Sequence, residues 1–290
     1  MTQTFFIYSQ TLSNQQMERF HLENQLTFLG STRYLGYQIA FFEGDLTACL
    51  GEKAQQINAD ISALDIQADL SQKGLLVMDM DSTAIKIECI DEIAKLAGTG
   101  EIVSAITASA MRGELDFEQS LRKRVATLAN APETILQNVR ENLPLMDGFE
   151  QMVSILQQYG WHIAIASGGF DYFADYLKNK YQLDDAFSNQ LEIIDGKLTG
   201  NVLGKVVDAQ YKAEILQTLA ERFNIPQTQW VAVGDGANDL PMLKTASLGV
   251  ALHAKPKVQE QAKTVVNFGD LSALVLLLNA KHLFKELKGE

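Results

Sequence analysis

The sequence predicts an α/β protein with a mostly parallel sheet, and three observations carry that prediction. From Gly74 onward, short apolar runs alternate with helical stretches such as residues 213–223. The runs are rich in β-branched and small residues and lack polar alternation, as strands buried on both faces do. Three of them end in polar, acidic or glycine-rich residues. Residues 75–78 lead into Asp79, residues 163–166 into Ser167-Gly168-Gly169, and residues 231–233 into Gly234-Asp235-Gly236. Residues 248–252 and 265–266 supply two further strands. Ligands of open α/β sheets bind beyond the carboxyl ends of the strands, so the chemistry is expected where those three ends meet.

The elements follow in order. Residues 1–72 read as a separate α+β module, with a strand over 34–42 and a helix over 47–64. The core begins at residues 73–85. Between Thr83 and Ser167 the chain is too long for one crossover, and it reads as helices over 90–97, 101–111, 117–128 and 132–142. Gly113, Ala131-Pro132 and Pro144 punctuate them. Residues 86–144 are therefore expected to form a small helical cap over the strand ends, with the core resuming over 145–290. Within it, residues 187–202 carry Asp195-Gly196 between alternating runs, a β-hairpin signal.

Composition bounds the function. The 290 residues are 47% hydrophobic and 21% charged with five prolines, which suits one large domain plus smaller modules without disordered linkers. The apolar run Phe5-Phe6-Ile7-Tyr8 is too short for a signal peptide, and residues 273–278 are too short to span a bilayer. Cys49 and Cys89 offer neither a disulfide framework nor a metal-ligand spacing. A soluble, cytoplasmic protein with no membrane partner is expected. The net charge of −12 argues against nucleic-acid binding. It also poses a problem for any anionic substrate, because cations must then be concentrated locally.

Five features carry candidate chemistry, each with a plainer alternative. Asp79-Met80-Asp81-Ser82-Thr83 is either a solvated strand end or a nucleophile with an acid/base partner. Gly234-Asp235-Gly236-Ala237-Asn238-Asp239 reads as a tight turn with Asn238 capping a helix that holds Pro241 in its first turn. With Asp79, Asp235 also makes a hard-oxygen site suited to Mg²⁺. Ser167-Gly168-Gly169 is a turn or a phosphate loop, since glycine lets backbone N–H groups approach phosphate oxygens. Arg124 falls within the helical stripe Phe117, Leu121, Val125, Leu128 and needs an anionic partner, either a ligand or a structural carboxylate. Lys212 sits near a helix N-terminus, where the dipole disfavours a cation, so phosphate or a neighbouring carboxylate is expected beside it. Glu88 reads alone as a helix cap. His21, His162, His253 and His282 show no ligand spacing.

Taken in order, Asp-x-Asp-x-Thr, Ser-Gly-Gly, a later lysine and Gly-Asp-Gly-x-Asn-Asp resemble the haloacid dehalogenase superfamily over residues 74–290. Within it the chain is similar to the phosphoserine phosphatase family. The narrower likeness rests on residues 79–83, Glu88, Phe117 to Arg124, Ser167 to Phe170 and residues 235–239, with no departure at those positions. The resemblance implies a Rossmann-like core and hydrolysis of O-phospho-L-serine through a phosphoaspartate, the last step of L-serine biosynthesis. It implies that Asp79 is the nucleophile and Asp81 the acid and base. It implies Mg²⁺ on Asp79, Asp235 and the backbone carbonyl of Asp81, supported by Asp239. Ser167, Gly168, Lys212 and Asn238 would hold the phosphate, Arg124 the substrate carboxylate and Glu88 its ammonium, with Phe117 closing over the serine. Three alternatives stand beside it: another phosphomonoesterase, a phosphotransferase to an alcohol such as homoserine, and a receiver that stores phosphate on Asp79. The module over 1–72 resembles a reduced amino-acid-binding (ACT-like) domain. Binding a regulatory amino acid and mediating a homodimer are its two candidate roles.

Overall fold

The computed structural model describes residues 2–289; Met1 and Glu290, which close the expected ranges 1–72 and 145–290, lie outside them. The chain opens with β1 (Thr2–Ser9), α1 (Asn14–Glu23), β2 (Thr27–Tyr34), β3 (Tyr37–Asp45), α2 (Ala48–Gln56) and β4 (Asp60–Ala63). These strands form a four-stranded antiparallel sheet in the order β2-β3-β1-β4.

Both faces of this sheet are apolar, and the period-two alternation of a strand explains how. Phe5, Ile7, Ala40 and Phe42 pack with Met17 and Phe20 of α1 and Leu50 and Ala54 of α2. Phe6, Tyr8, Tyr37, Ile39 and Phe41 point the other way, into the main core. The apolar run at residues 5–8 is thus the middle strand of a sheet buried on both sides.

Two expectations about this segment are corrected. The strand expected over 34–42 is β3 but begins at Tyr37, because Leu35 and Gly36 take positive φ (49° and 84°) and close the turn between β2 and β3. The helix expected over 47–64 ends at Gln56. Asn58 is left-handed (φ 55°), and the chain then enters β4, where pairing with β1 outweighs helix propensity.

The larger unit continues with β5 (Leu75–Met78), α3 (Cys89–Leu96), α4 (Gly100–Met111), α5 (Phe117–Ala126), α6 (Thr134–Glu141), α7 (Phe149–Gln158), β6 (His162–Phe170) and α8 (Asp171–Tyr181). The hairpin β7 (Asp185–Ile194) and β8 (Lys197–Leu203) follows, then α9 (Ala209–Arg222), β9 (Trp230–Gly234), α10 (Leu240–Thr245), β10 (Leu248–Leu252), α11 (Pro256–Gln259), β11 (Thr264–Val266) and α12 (Ser272–Lys288). The seven strands run β11-β10-β9-β5-β6-β7-β8, parallel except for β8. Every residue of β5 is fully buried, which is why it reads as a continuous apolar run. The connections leave β5 first toward β6 and later return on its other side through β9, so a switch point opens at its carboxyl end. Among the described residues no helix is long and apolar enough to cross a membrane.

The two sheets are joined by polar contacts as well as by the shared core. The buried carboxylate of Asp60, on β4, accepts hydrogen bonds from the backbone N–H groups of Asn267 (2.7 Å), Phe268 (3.1 Å) and Gly269 (2.8 Å). Tyr37 donates to Asp270 at 3.0 Å beside them. Asp60→Ala would leave those N–H groups, that of Gly269 in a buried contact, without their acceptor. It is expected to lower unfolding free energy by about 2–3 kcal/mol in urea titrations, and an unchanged midpoint would refute the latch.

Candidate active site

The site is built from the strand ends. The N–H of Asp79 still donates to Val233 O (3.0 Å), so the β5–β9 ladder holds the first aspartate in place. The chain then turns sharply. Met80 O accepts from the N–H groups of Thr83, Ala84 and Ile85, and Ser82 is left-handed (φ 56°). This turn separates the two carboxylates of the Asp-x-Asp pair. At the end of β9, a Cβ on Gly234 would lie 2.4 Å from Asp239 Cγ, so only glycine allows Asp239 to fold back there. Asp239 Oδ2 accepts from Gly236 N–H at 2.9 Å. Asp239 also stands at the N-cap position of α10, where Asn238 had been expected.

Lys212 lies on α9, whose N-cap Asp208 accepts from Tyr211 N–H at 2.8 Å. Its ammonium is fully buried and donates to Asp79 Oδ1 and Asp239 Oδ1, both at 2.7 Å. Of the two partners expected for this cation, the structure supplies carboxylates. On β6, Gly169 N–H donates to Ser167 Oγ (2.9 Å). The Phe117 ring of α5 lies against Gly168, where a Cβ would come within 2.7 Å of it.

Asp79, Asp81, Ser167, Gly168, Asp235 and Asn238 line one cavity of about 1030 Å³, with Glu88, Phe117 and Arg124 on its walls. Lys212 and Asp239 lie beneath its floor, fully buried. Glu88 occupies the N-cap position of α3 but makes no side-chain cap; its carboxylate instead accepts from Ser82 Oγ at 2.8 Å. Arg124 makes no ion pair among the described residues, and its Nε is buried without a partner.

Residues 74–247 match the haloacid dehalogenase-like hydrolase family. The chain belongs to that family. A phosphoserine phosphatase of Haemophilus influenzae is 68% identical to this hydrolase over 224 residues, 77% of this chain and 71% of its own length. The crystal structure of a probable phosphoserine phosphatase from Vibrio cholerae superposes with a TM-score of 0.89 at 49% identity, covering 98% of this chain and 88% of its own. A phospho-aspartyl intermediate analogue of a phosphoserine phosphatase matches with a TM-score of 0.66 at 43% identity, over 70% of this chain and 98% of its own.

The charges of this hydrolase's site do not balance within the protein. Asp79, Asp235 and Asp239 offer oxygens that all lie within 4.8 Å of one another. One ammonium against three carboxylates leaves a deficit that a divalent cation fits. Both Asp239 oxygens are already taken, by Lys212 and Gly236, and Asp235 Oδ1 accepts from Thr83 Oγ1 at 3.2 Å. Asp79 and Asp235 each keep one oxygen without a hydrogen bond, which makes them the better ligands and Asp239 their support. Burial lifts the Asp79 carboxyl against the pull of Lys212. Burial also lifts Asp235 to about 6, with Asp239 and Glu88 adding to the shift. Lys212 is held as an ammonium: burial pulls its pKa down, and Asp239 and Asp79 more than reverse that.

Asp81 differs. Its Oδ1 is buried and meets no donor. Burial, then the nearby Glu88, raises its pKa to about 7, and Cys89 beside it draws it part of the way back.

Sequence reasoning missed three kinds of residue here. Lys255 and Lys257 line the cavity mouth from around α11. Thr83, inside the first motif, orients Asp235. Asn189, on β7, contacts the Ser-Gly-Gly loop from behind. Only Thr83 had a usable signal, its place in Asp-x-Asp-x-Thr.

Lys212→Met keeps the side chain's bulk but leaves two buried carboxylates unpaired. It is expected to destabilise the chain by roughly 3–5 kcal/mol in denaturant titrations with chelator present. A loss below about 1 kcal/mol would show that the ion pair does not hold the floor together.

Proposed function

We propose that this hydrolase is a Mg²⁺-dependent phosphoserine phosphatase that cleaves O-phospho-L-serine through a phosphorylated Asp79. The observation that carries the reading is the content of one cavity. A buried carboxylate-and-ammonium floor shares one cavity with an arginine that keeps a free donor and with a glutamate. A phosphate that also bears a carboxylate and an ammonium complements that pattern. The phosphoserine phosphatases among its relatives, including the phospho-aspartyl analogue, support the reading.

In this reading, residues 73–85 and the segment from 145 onward carry the phosphate chemistry, and residues 86–144 supply amino-acid recognition. Asp79, Asp235 and the backbone carbonyl of Asp81 would hold Mg²⁺, which when bound offsets the negative charge that phosphate and carboxylate bring together. Lys212 fixes the rotation of Asp79 through Oδ1. Ser167, the backbone at Gly168, Lys212 and Asn238 surround the phosphate, and Asp239 keeps Lys212 in place. Arg124 pairs with the substrate carboxylate, Glu88 with its ammonium, and Phe117 covers the methylene. Asp79 attacks phosphorus as the bond from phosphorus to the serine oxygen breaks, and Asp81 gives that oxygen a proton. Asp81 then takes a proton from the water that attacks phosphorus, Asp79 is released, and phosphate departs. A carboxyl pushed up to about 7 exchanges a proton readily in both directions near neutrality.

The decisive assay is phosphate release from L-phosphoserine beside phosphothreonine and a sugar phosphate. Strong preference for phosphoserine, abolished by chelator, is expected; equal rates on all three would remove the substrate assignment. Arg124→Ala is expected to lower kcat/KM by roughly 100-fold or more through the loss of a charged contact. Asp81→Asn should lower kcat by roughly 10²–10⁴-fold, the usual span for lost general acid–base catalysis, and an unaffected kcat would exclude Asp81 from proton transfer.

A further inference from the structure

We propose that Asn189 is a positioning residue that holds the Ser167-Gly168 loop and the start of α9 as one rigid phosphate cradle. The proposal rests on the reading of this site as a phosphomonoesterase, and it adds a residue that neither the motifs nor that reading assigns.

The β6–β7 ladder shows why such a residue is needed. Its register runs regularly to Ala166 opposite Phe187, and the next pair is Phe170 opposite Asn189. Residues 167–169 therefore bulge out against the single residue 188. A bulge of that kind frees backbone groups from the ladder, and buried ones must find other partners. Asn189 provides one. Its side chain, 1% exposed, donates from Nδ2 to Gly168 O at 2.8 Å.

That single bond reaches the cavity side of the loop through covalent geometry. The carbonyl of Gly168 and the N–H of Gly169 belong to one planar trans peptide and point in opposite directions. Fixing the carbonyl fixes the N–H, and this N–H donates to Ser167 Oγ at 2.9 Å. With that lone pair engaged, the hydroxyl's own proton remains free to donate into the cavity.

The other end of the amide reaches the second phosphate-facing segment. Asn189 Oδ1 accepts from Val207 N–H at 2.8 Å. Val207 immediately precedes Asp208, the N-cap of α9, and one turn later α9 delivers Lys212. A carbonyl can only accept and a backbone N–H can only donate, so the amide's orientation is fixed by its partners. Aspartate lacks the donor, serine lacks the reach, and leucine lacks both groups. Asparagine is the side chain of this length that bridges them.

The test uses the full chain with Mg²⁺ and two probes, inorganic phosphate and L-serine, titrated by calorimetry. Asn189→Asp keeps the acceptor for Val207 but sets an oxygen against Gly168 O. Asn189→Ala removes both bonds without adding charge, and covers the case in which the aspartate variant does not fold. The expected result for either folded variant is phosphate affinity weakened 10-fold or more, with L-serine affinity within twofold of wild type and KM for phosphoserine raised more than kcat is lowered. Phosphate affinity within twofold of wild type would overturn the proposal. Parallel loss of phosphate and L-serine binding would also overturn it, since that marks a general structural role. Failure of the functional reading shows separately, as wild-type enzyme that binds phosphate but does not turn over phosphoserine.

Discussion

The fully buried ammonium of Lys212 is held between Asp79 and Asp239 at 2.7 Å each, and the geometry of the floor depends on that arrangement. An ammonium taken out of water is tolerated only where carboxylates replace its hydration. Here the replacements come from the ends of two different strands, so the ion pair fastens α9 to β5 and to the turn after β9. Gly234 is part of the same constraint, because any side chain there would displace Asp239. The arrangement also leaves negative charge uncompensated at Asp79 and Asp235. A site built this way favours a cation above the floor.

The sharp turn at Met80 gives the two carboxylates of one short motif different surroundings. Asp79 stays on the ladder and is engaged by an ammonium. Asp81 is carried past the turn into a pocket where burial and Glu88 favour its protonated form. Burial lifts both carboxyls, but only that of Asp79 touches an ammonium that opposes the lift. Their identity is the same; the backbone of residues 80–85 makes the difference.

How much of this the sequence discloses depends on which physical signal each element carries. The central strands were legible because burial on both faces makes them continuous apolar runs, and their polar ends stand out against that background. The helices expected between residues 90 and 142 were legible to within about two residues at each end. The N-terminal sheet was legible only in part. The strand expected over 34–42 holds the first six residues of β3, but the helix expected over 47–64 absorbed β4, and β1 showed only as a short apolar run. Asn189 was illegible for a different reason. It acts through a bulge in the neighbouring strand, and a bulge follows from register, which only the folded sheet defines. Lys255 and Lys257 likewise become cavity residues only once α11 is placed beside the strand ends.

The acidic balance of the chain, −12 overall, raised the question of how an anionic substrate is admitted. Net charge is a poor guide here because exposed charges farther apart than roughly 8 Å are largely screened at physiological ionic strength. What a substrate meets inside the cavity is decided by nearby groups with little water between them. Lys212 lies beneath the floor, Arg124 stands in the wall with an unpartnered Nε, and Lys255 and Lys257 flank the mouth. Neither of these two lysines makes an ion pair among the described residues, so their charge is not neutralised locally. The acidic surface and a few cations placed within the cavity are therefore compatible. The first is screened by salt, and Lys212 is fully buried where salt has little access.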